Sequence, residues 1–282
     1  MAIGLGAFLA LDKCNRLVSV RVGRETIIEG LNMKSLVAFD LDGTLAESKQ
    51  RIEPEMAGLL AQLLDRVAVA VISGGDWPQF ETQVIAAIPS AARVERLFIM
   101  PTTGSKLYRF ESGQWRAIYA EIFDPGERDH ILKSIDDALA TAGLADERIW
   151  GERVEDRGSQ ITFSGLGQEA PLDAKKAWDP DFAKRKALQA SLRAALPDLS
   201  VNIGGSTSLD ITHTGIDKAY AMRRLAEHSG ISTGDMLFLG DAIYPGGNDD
   251  AVRAAGMDTL KVRDVQETIT AVGAMVACLP VR

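Results

Sequence analysis

The stretch Leu36-Val-Ala-Phe-Asp40-Leu-Asp42-Gly43-Thr44-Leu45 narrows the fold most. It opens on an apolar run too short for a helix and closes near a glycine, the pattern of a buried parallel strand. Residues at i and i+2 of a strand share a face, so Asp40 and Asp42 line one crevice where the chain turns at Gly43. In open α/β sheets, ligands bind in such crevices at the carboxyl ends of strands. Carboxylates held together there repel unless a cation or a shared proton intervenes. Mg²⁺ suits the place, because it prefers oxygen ligands and keeps waters for a substrate phosphate.

The pattern recurs along the chain. Ile52, Met56, Leu59, Leu60, Leu63 and Leu64 follow at helical spacing, with Pro54 near the helix start. Residues 67–72 form a second apolar run and end in Ser73-Gly74-Gly75-Asp76. A hydroxyl beside glycines at a strand end lets backbone N–H groups approach a phosphate. Residues 97–100 read as a third strand, and 106–110 begin a hairpin that turns at Gly113. After Lys218 comes a helix stopped by Gly230, then an apolar run at 236–240 that ends in Asp241. A last strand at 260–262 and a closing helix at 265–276 complete the series.

Between them, from about 123 to 200, the texture changes. A helix is expected over 126–142 with Gly143 as its stop, and a second over 180–196. Residues 160–164 alternate in polarity and read as a half-exposed strand, with short strands at 201–203 and 208–211. Alternating strands beside two helices suggest an α+β layer rather than more parallel sheet.

Composition excludes some partners. A net charge of −8 argues against nucleic acid. Cys14 and Cys278 stand far apart, with no disulfide framework and no metal-ligand spacing, which points to a reducing cytoplasm. The apolar start lacks a basic lead and ends at Asp12, too short to span a membrane. Residues 13–32 alternate weakly, as a small hairpin or nothing stable; residues 1–32 are expected to be an extension outside the fold.

The string D-L-D-G-T-L at 40–45 matches the nucleophile motif of the haloacid dehalogenase (HAD) superfamily of phosphohydrolases and phosphomutases. S-G-G-D at 73–76 resembles its second motif, G-I-D-K ending at Lys218 its third, and G-D followed by P-G-G-N-D at 245–249 its fourth. The resemblance implies an α/β fold: a Rossmann-like parallel-sheet core, residues 33–120 and 205–282, with an inserted α+β cap of the IIB type at 121–204. It implies that Asp40 attacks phosphorus, Asp42 serves as general acid and base, and Lys218 neutralises charge. Ser73 and Gly74 would hold the phosphate. Asp40, Asp42 and Asp241 would hold Mg²⁺, with Asn248 and Asp249 orienting a metal water and Lys218. Arg253 and Ala255 stand where eukaryotic-type phosphomannomutases, which the P-G-G-N-D stretch resembles, build a further ion loop, so the resemblance implies one metal.

The cap segments 155–167 and 204–210 resemble those of eukaryotic-type phosphomannomutases. That likeness implies that Arg157 binds a distal phosphate while Ser208 and Asp210 contact sugar hydroxyls. Three positions depart from that family. Gln168, Lys175 and Lys49 stand where it places arginines. Arginine grips phosphate with a planar fork, lysine offers a point charge and glutamine none. The expected function is therefore a Mg²⁺-dependent phosphohydrolase acting on a sugar phosphate, a small phosphorylated metabolite. The alternative is a phosphomannomutase that interconverts mannose 1-phosphate and mannose 6-phosphate. His213 is not needed for this chemistry.

Overall fold

The computed structural model describes residues 34–204 and 206–281, together with the backbone of three strands near the beginning of the chain. Those strands, β1 (Ala7–Leu11), β2 (Leu17–Val22) and β3 (Glu25–Glu29), form an antiparallel sheet of their own. The rest of the expected extension 1–32, Met33 and Gly205 lie outside the described residues.

The central sheet begins with β4 (Leu36–Phe39), β5 (Ala68–Ile72) and β6 (Leu97–Met100), all buried along their length. β7 (Lys106–Glu111) and β8 (Gln114–Ala120) then turn back as a hairpin. Ser112 and Gly113 both adopt positive φ there, as a two-residue hairpin turn of the mirror-image type requires. After the inserted region come β13 (Met236–Gly240) and β14 (Thr259–Lys261). The seven-stranded order is β14-β13-β4-β5-β6-β7-β8, parallel except at the β6–β7–β8 edge. The chain runs outward from β4 through β5 to β6, then resumes on the other side of β4 at β13. The reversal falls between β4 and β13, which opens a crevice at their carboxyl ends.

Both faces of this sheet are covered. Helices α1 (Pro54–Leu64) and α8 (Val265–Cys278) pack on the side presented by Val37, Phe39, Val69 and Val71. The face of Leu36, Ala38, Ala70 and Phe238 packs on α6 (Lys218–Ser229) and α7 (Asp250–Ala254). A short helix α2 (Trp77–Gln83) follows β5.

The inserted region builds a separate antiparallel sheet, order β11-β12-β10-β9, from β9 (Val154–Asp156), β10 (Gln160–Ser164), β11 (Leu199–Ile203) and β12 (Ser208–His213). Ile161, Phe163, Leu209 and Ile211 meet α3 (Pro125–Ala142) and α5 (Ala183–Ala195) in a third core. α3 carries a reciprocal capping box between Asp124 and Glu127 and ends at Gly143 in the left-handed conformation.

Two expectations for this region are corrected. The single helix expected over 180–196 is preceded by a second, α4 (Leu172–Trp178), and α5 starts only at Ala183. The buried Asp179 carboxylate accepts the N–H groups of Lys184 (2.9 Å) and Arg185 (3.1 Å), so it caps the first turn from outside and sets where α5 begins. The strand at 160–164 is not half-exposed but buried on both faces. Its polar residues face groups of the molecule instead of solvent. Among the described residues, no helix is long and apolar enough to cross a membrane.

Candidate active site

The register of the central sheet brings the acidic residues together. Phe39 pairs with Val71 on one side and Leu239 on the other, so Asp40, the β5–α2 turn and the end of β13 share one level. Asp40 N–H donates to Leu239 O (2.9 Å), which extends the ladder one residue beyond β4. The N–H of Asp241 donates to Thr44 Oγ1 (3.1 Å), which ties the two acidic turns together.

Two glycines make this closeness possible. Gly43 adopts φ +85°, and a Cβ there would lie 2.7 Å from Asp241 Oδ2. A Cβ at Gly240 would lie 2.2 Å from Asp249 Oδ2, so Asp249 folds back over a bare backbone. Asp249 Oδ2 accepts the N–H of Ala242 (3.0 Å), and its Oδ1 accepts from Lys218 Nζ.

Lys218 opens α6, whose N-cap Asp217 accepts the N–H of Tyr220. Its ammonium lies between Asp249 and Asp40, 2.6 Å from Asp40 Oδ1, with all three side chains buried. Burial pushes the Asp40 carboxyl up to about 7, against the pull of Lys218 and with the help of Asp249. Burial works against the charge on Lys218, yet the two carboxylates hold its pKa above the ordinary value. Asp241 is raised as well, first by burial and then by Asp249.

Carboxylate oxygens of Asp40, Asp241 and Asp249 all lie within 4.8 Å of one another. A set of hard oxygen donors with excess negative charge fits a divalent cation of the Mg²⁺ class. Asp42, expected among the ligands, presents its carboxylate elsewhere. It accepts the N–H of Lys49 (2.8 Å) and the amide of Gln79 (3.3 Å), while Asp249 joins the acidic cluster in its place. Asn248 is exposed on the adjoining loop.

Ser73 is buried at the end of β5, and the N–H of Gly75 points to its hydroxyl at 3.5 Å. The carbonyl of Gly74 accepts two hydrogen bonds from the inserted region, from Arg157 Nη1 (2.6 Å) and Gln160 Nε2 (3.3 Å). Arg157 also donates to Glu155 (2.7 Å), so its guanidinium is engaged at the junction. The Ser159 hydroxyl adds a buried cluster with Thr102 and Ser105.

The polar face of β10 and β12 completes the site. Asp210 accepts from Thr162 Oγ1 (2.8 Å) and Gln160 Nε2 (3.1 Å), and burial raises its carboxyl above the ordinary range. Ser208 lies two residues away on the same face of β12, half-buried. Lys175 Nζ donates to Gln168 O (2.9 Å); its pKa is lowered by burial and by the nearby charge of Lys49. Lys49 and Lys175 therefore converge from the two sides of the cleft. His213 lies apart, against Glu127 and the Phe123 ring.

Several of these residues were not singled out from the sequence. Gln160 and Thr162 carried a signal, since their period-2 polarity marks a polar face, but it was assigned to solvent. Gln79 carried none.

A doubly wound sheet with an acid at the end of β4, a second acid at the end of β13 and an α+β insertion over the crevice defines a HAD-like fold. Solved structures share it: the IMP-bound, N-terminally truncated IMP-nucleotidase of Plasmodium falciparum aligns with TM-score 0.63 at 14% identity, over 88% of this chain and 69% of that one. A haloacid dehalogenase-like hydrolase from Bacteroides thetaiotaomicron aligns with TM-score 0.57 at 15% identity, over 86% and 99%. Within this class the chain belongs to the eukaryotic phosphomannomutase family, whose model matches residues 56–275. The phosphomannomutase of Schizosaccharomyces pombe is 28% identical over 225 residues, 77% of this chain and 84% of that protein. Human phosphomannomutase 1 is 24% identical over 223 residues, 76% and 81% respectively. The family match begins downstream of Asp40 and Asp42.

Proposed function

We propose that this chain is a phosphomannomutase-type enzyme that moves a phosphoryl group between positions of a hexose phosphate through an aspartyl-phosphate on Asp40. The observation that carries this reading is the combination of family membership with the buried Asp40–Lys218–Asp249 constellation. Family membership favours isomerisation over the simple hydrolysis expected from the departures in the cap.

Asp40 Oδ attacks phosphorus, and the bond from phosphorus to the ester oxygen breaks. Asp42 donates a proton to that leaving oxygen. In the second half, Asp42 takes the proton of an incoming hydroxyl as that oxygen attacks phosphorus, and the bond from phosphorus to Asp40 breaks. Lys218 offsets charge on the phosphoryl oxygens, and the β5–α2 turn at Ser73 and Gly74 offers hydroxyl and N–H donors. Asp40, Asp241 and Asp249 would hold Mg²⁺, which supplies further neutralisation of the phosphoryl charge. Ser208 and Asp210 face the cleft from β12 as partners for sugar hydroxyls, with Arg157 at its edge.

A specific observation keeps hydrolysis as the second reading. Lys49, Lys175 and Gln168 replace a set of arginine forks, and a weaker grip on the distal phosphate lets water compete for the aspartyl-phosphate. The test is one assay of mannose 1-phosphate with Mg²⁺ and a hexose bisphosphate activator, following mannose 6-phosphate and free phosphate together. Isomerisation well above phosphate release is the expected result. Phosphate release that outruns isomerisation would reverse the order of the two readings.

A further inference from the structure

We propose that Gln79 is a positioning residue for Asp42, one that fixes the carboxylate for proton transfer and couples it to the phosphate-side turn. The proposal rests on the reading of Asp42 as proton donor and acceptor. Sequence patterning gives no hint of it, since Gln79 lies in a short helix well away from the 40–45 motif.

The geometry is specific. Asp42 has two donors on its carboxylate, one on each oxygen: the Lys49 N–H on Oδ1 (2.8 Å) and Gln79 Nε2 on Oδ2 (3.3 Å). Lys49 reaches it only because its backbone takes the left-handed conformation, φ 60°, which is costly for a residue with a side chain. Gln79 in turn donates to Oε1 of Gln83 (3.1 Å), one helical turn on, and Gln83 is buried. The Gln79 amide lies directly against the bare Cα of Gly75, where a Cβ would come within 1.9 Å of its Oε1. One side chain therefore touches the proton-transfer group and the turn after Ser73.

A proton donor must sit within hydrogen-bond reach of the oxygen that departs. Asp42 precedes the turn at Gly43 and is only half-buried, so its rotamer is not fixed by core packing. The two donors hold it instead. A third observation agrees: the acidic cluster of Asp40, Asp241 and Asp249 excludes the Asp42 side chain, which leaves it free for this separate task.

The test uses the full chain with Mg²⁺ and two aryl phosphates, phenyl phosphate and p-nitrophenyl phosphate. Phenolate is the poorer leaving group and needs the proton; p-nitrophenolate departs without much help. Gln79→Met keeps the length and bulk against Gly75 but removes the donor. For the Met variant, kcat/KM on phenyl phosphate should fall roughly tenfold to a hundredfold, as expected when a catalytic group is misplaced by about 1 Å. On p-nitrophenyl phosphate the change should stay within about threefold, since general acid catalysis contributes little there. Asp42→Ala marks the full effect, and single-turnover measurement with enzyme in excess reads the same step where steady-state release is slow. An equal fall on both substrates would mean a structural role and would overturn the proposal. So would a selective loss in Asp42→Ala with none in Gln79→Met. If Asp42→Ala itself shows no selectivity for the leaving group, the reading of Asp42 fails, and this proposal fails with it.

Discussion

Replacing Lys218 by methionine removes the ammonium that lies between two buried carboxylates, Asp40 and Asp249. Breaking a buried ion pair from one side costs about 3–5 kcal/mol, because the remaining charge is left without a partner. Here two charges are left, so the upper part of that range applies. For a chain of this size, about 2–4 °C of melting temperature accompanies each kcal/mol. Lys218→Met should therefore melt roughly 8–20 °C below the wild type in excess chelator. The loss has a signature that packing damage lacks. Without the ammonium the acidic cluster is more negative, so Mg²⁺ should bind more tightly and raise the melting temperature by more in the variant than in the wild type. Activity should be lost in both conditions. The assay is thermal unfolding of both proteins with chelator and across a Mg²⁺ titration. A shift under 2 °C in chelator, or equal Mg²⁺ increments in the two proteins, would refute the reasoning about the pair.

Five further outcomes are expected. Asp40→Asn should abolish turnover in a folded protein, and wild-type turnover should vanish with chelator and return with Mg²⁺. Metal-free wild type should lose stability as pH rises from about 4 to about 7, because the folded Asp40 carboxyl is raised from 3.8 to about 7 and binds protons that the unfolded chain has released; an acid-to-neutral series of melting curves in chelator checks the sign. Gln168→Arg should raise the ratio of mannose 6-phosphate formed to phosphate released by about one order of magnitude, the worth of one charge-assisted contact, read in the two-product assay. Asp179 behaves oppositely to Asp40: burial would raise it, but its hydrogen bond from Arg185 wins and holds its carboxyl below 3.8, so its contribution is complete above about pH 4 and is lost below it. Circular dichroism during acid titration should show that loss in the wild type and a flatter profile in Asp179→Asn.

The core was legible because its local and long-range signals agree. Residues 36–39 and 68–72, and all of 236–240 but Leu237, are buried, so each appears as an unbroken apolar run, and each run is followed by a polar residue, Asp40, Ser73 or Asp241. Gly43 and Gly240 carried their meaning too, since nothing else fits between the acidic side chains. The inserted region was less legible. The alternation at Gln160, Thr162 and Ser164 means the same thing in sequence whether the polar face meets water or another part of the molecule. Only the hydrogen bond from Gln160 to Gly74 O reveals which. Similarly, the break before α5 depends on Asp179 bonding forward to Lys184 and Arg185, a side-chain to backbone contact that Pro180 masks in the sequence. Asp42 was placed among the metal ligands by its nearness to Asp40 in the chain. The turn at Gly43 sends the two carboxylates to different partners.

Arg157 shows why positions in the cap resist reading one at a time. Its guanidinium spans the Gly74 carbonyl and Glu155, so the residue expected to grip a distal phosphate is also a tie between the cap and the turn after Ser73. The two contacts occupy one N–H on each terminal nitrogen, so a phosphate would share the guanidinium with the carbonyl and the carboxylate rather than have it to itself. Lys49 and Lys175 stand differently. Their mutual repulsion already lowers the pKa of Lys175 along with its burial, so an anion placed between them would relieve an existing cost. On the proposed function, the paired lysines would share the distal phosphate with Arg157. A point-charge pair of that kind holds a phosphate with less directional preference than a guanidinium. Loose orientation is compatible with a hexose phosphate that must turn over between two half-reactions, provided that it is not released. On the proposed function, the ratio of isomerisation to hydrolysis would be set by how long the cap retains the anion, not by the chemistry at Asp40, which is common to both fates.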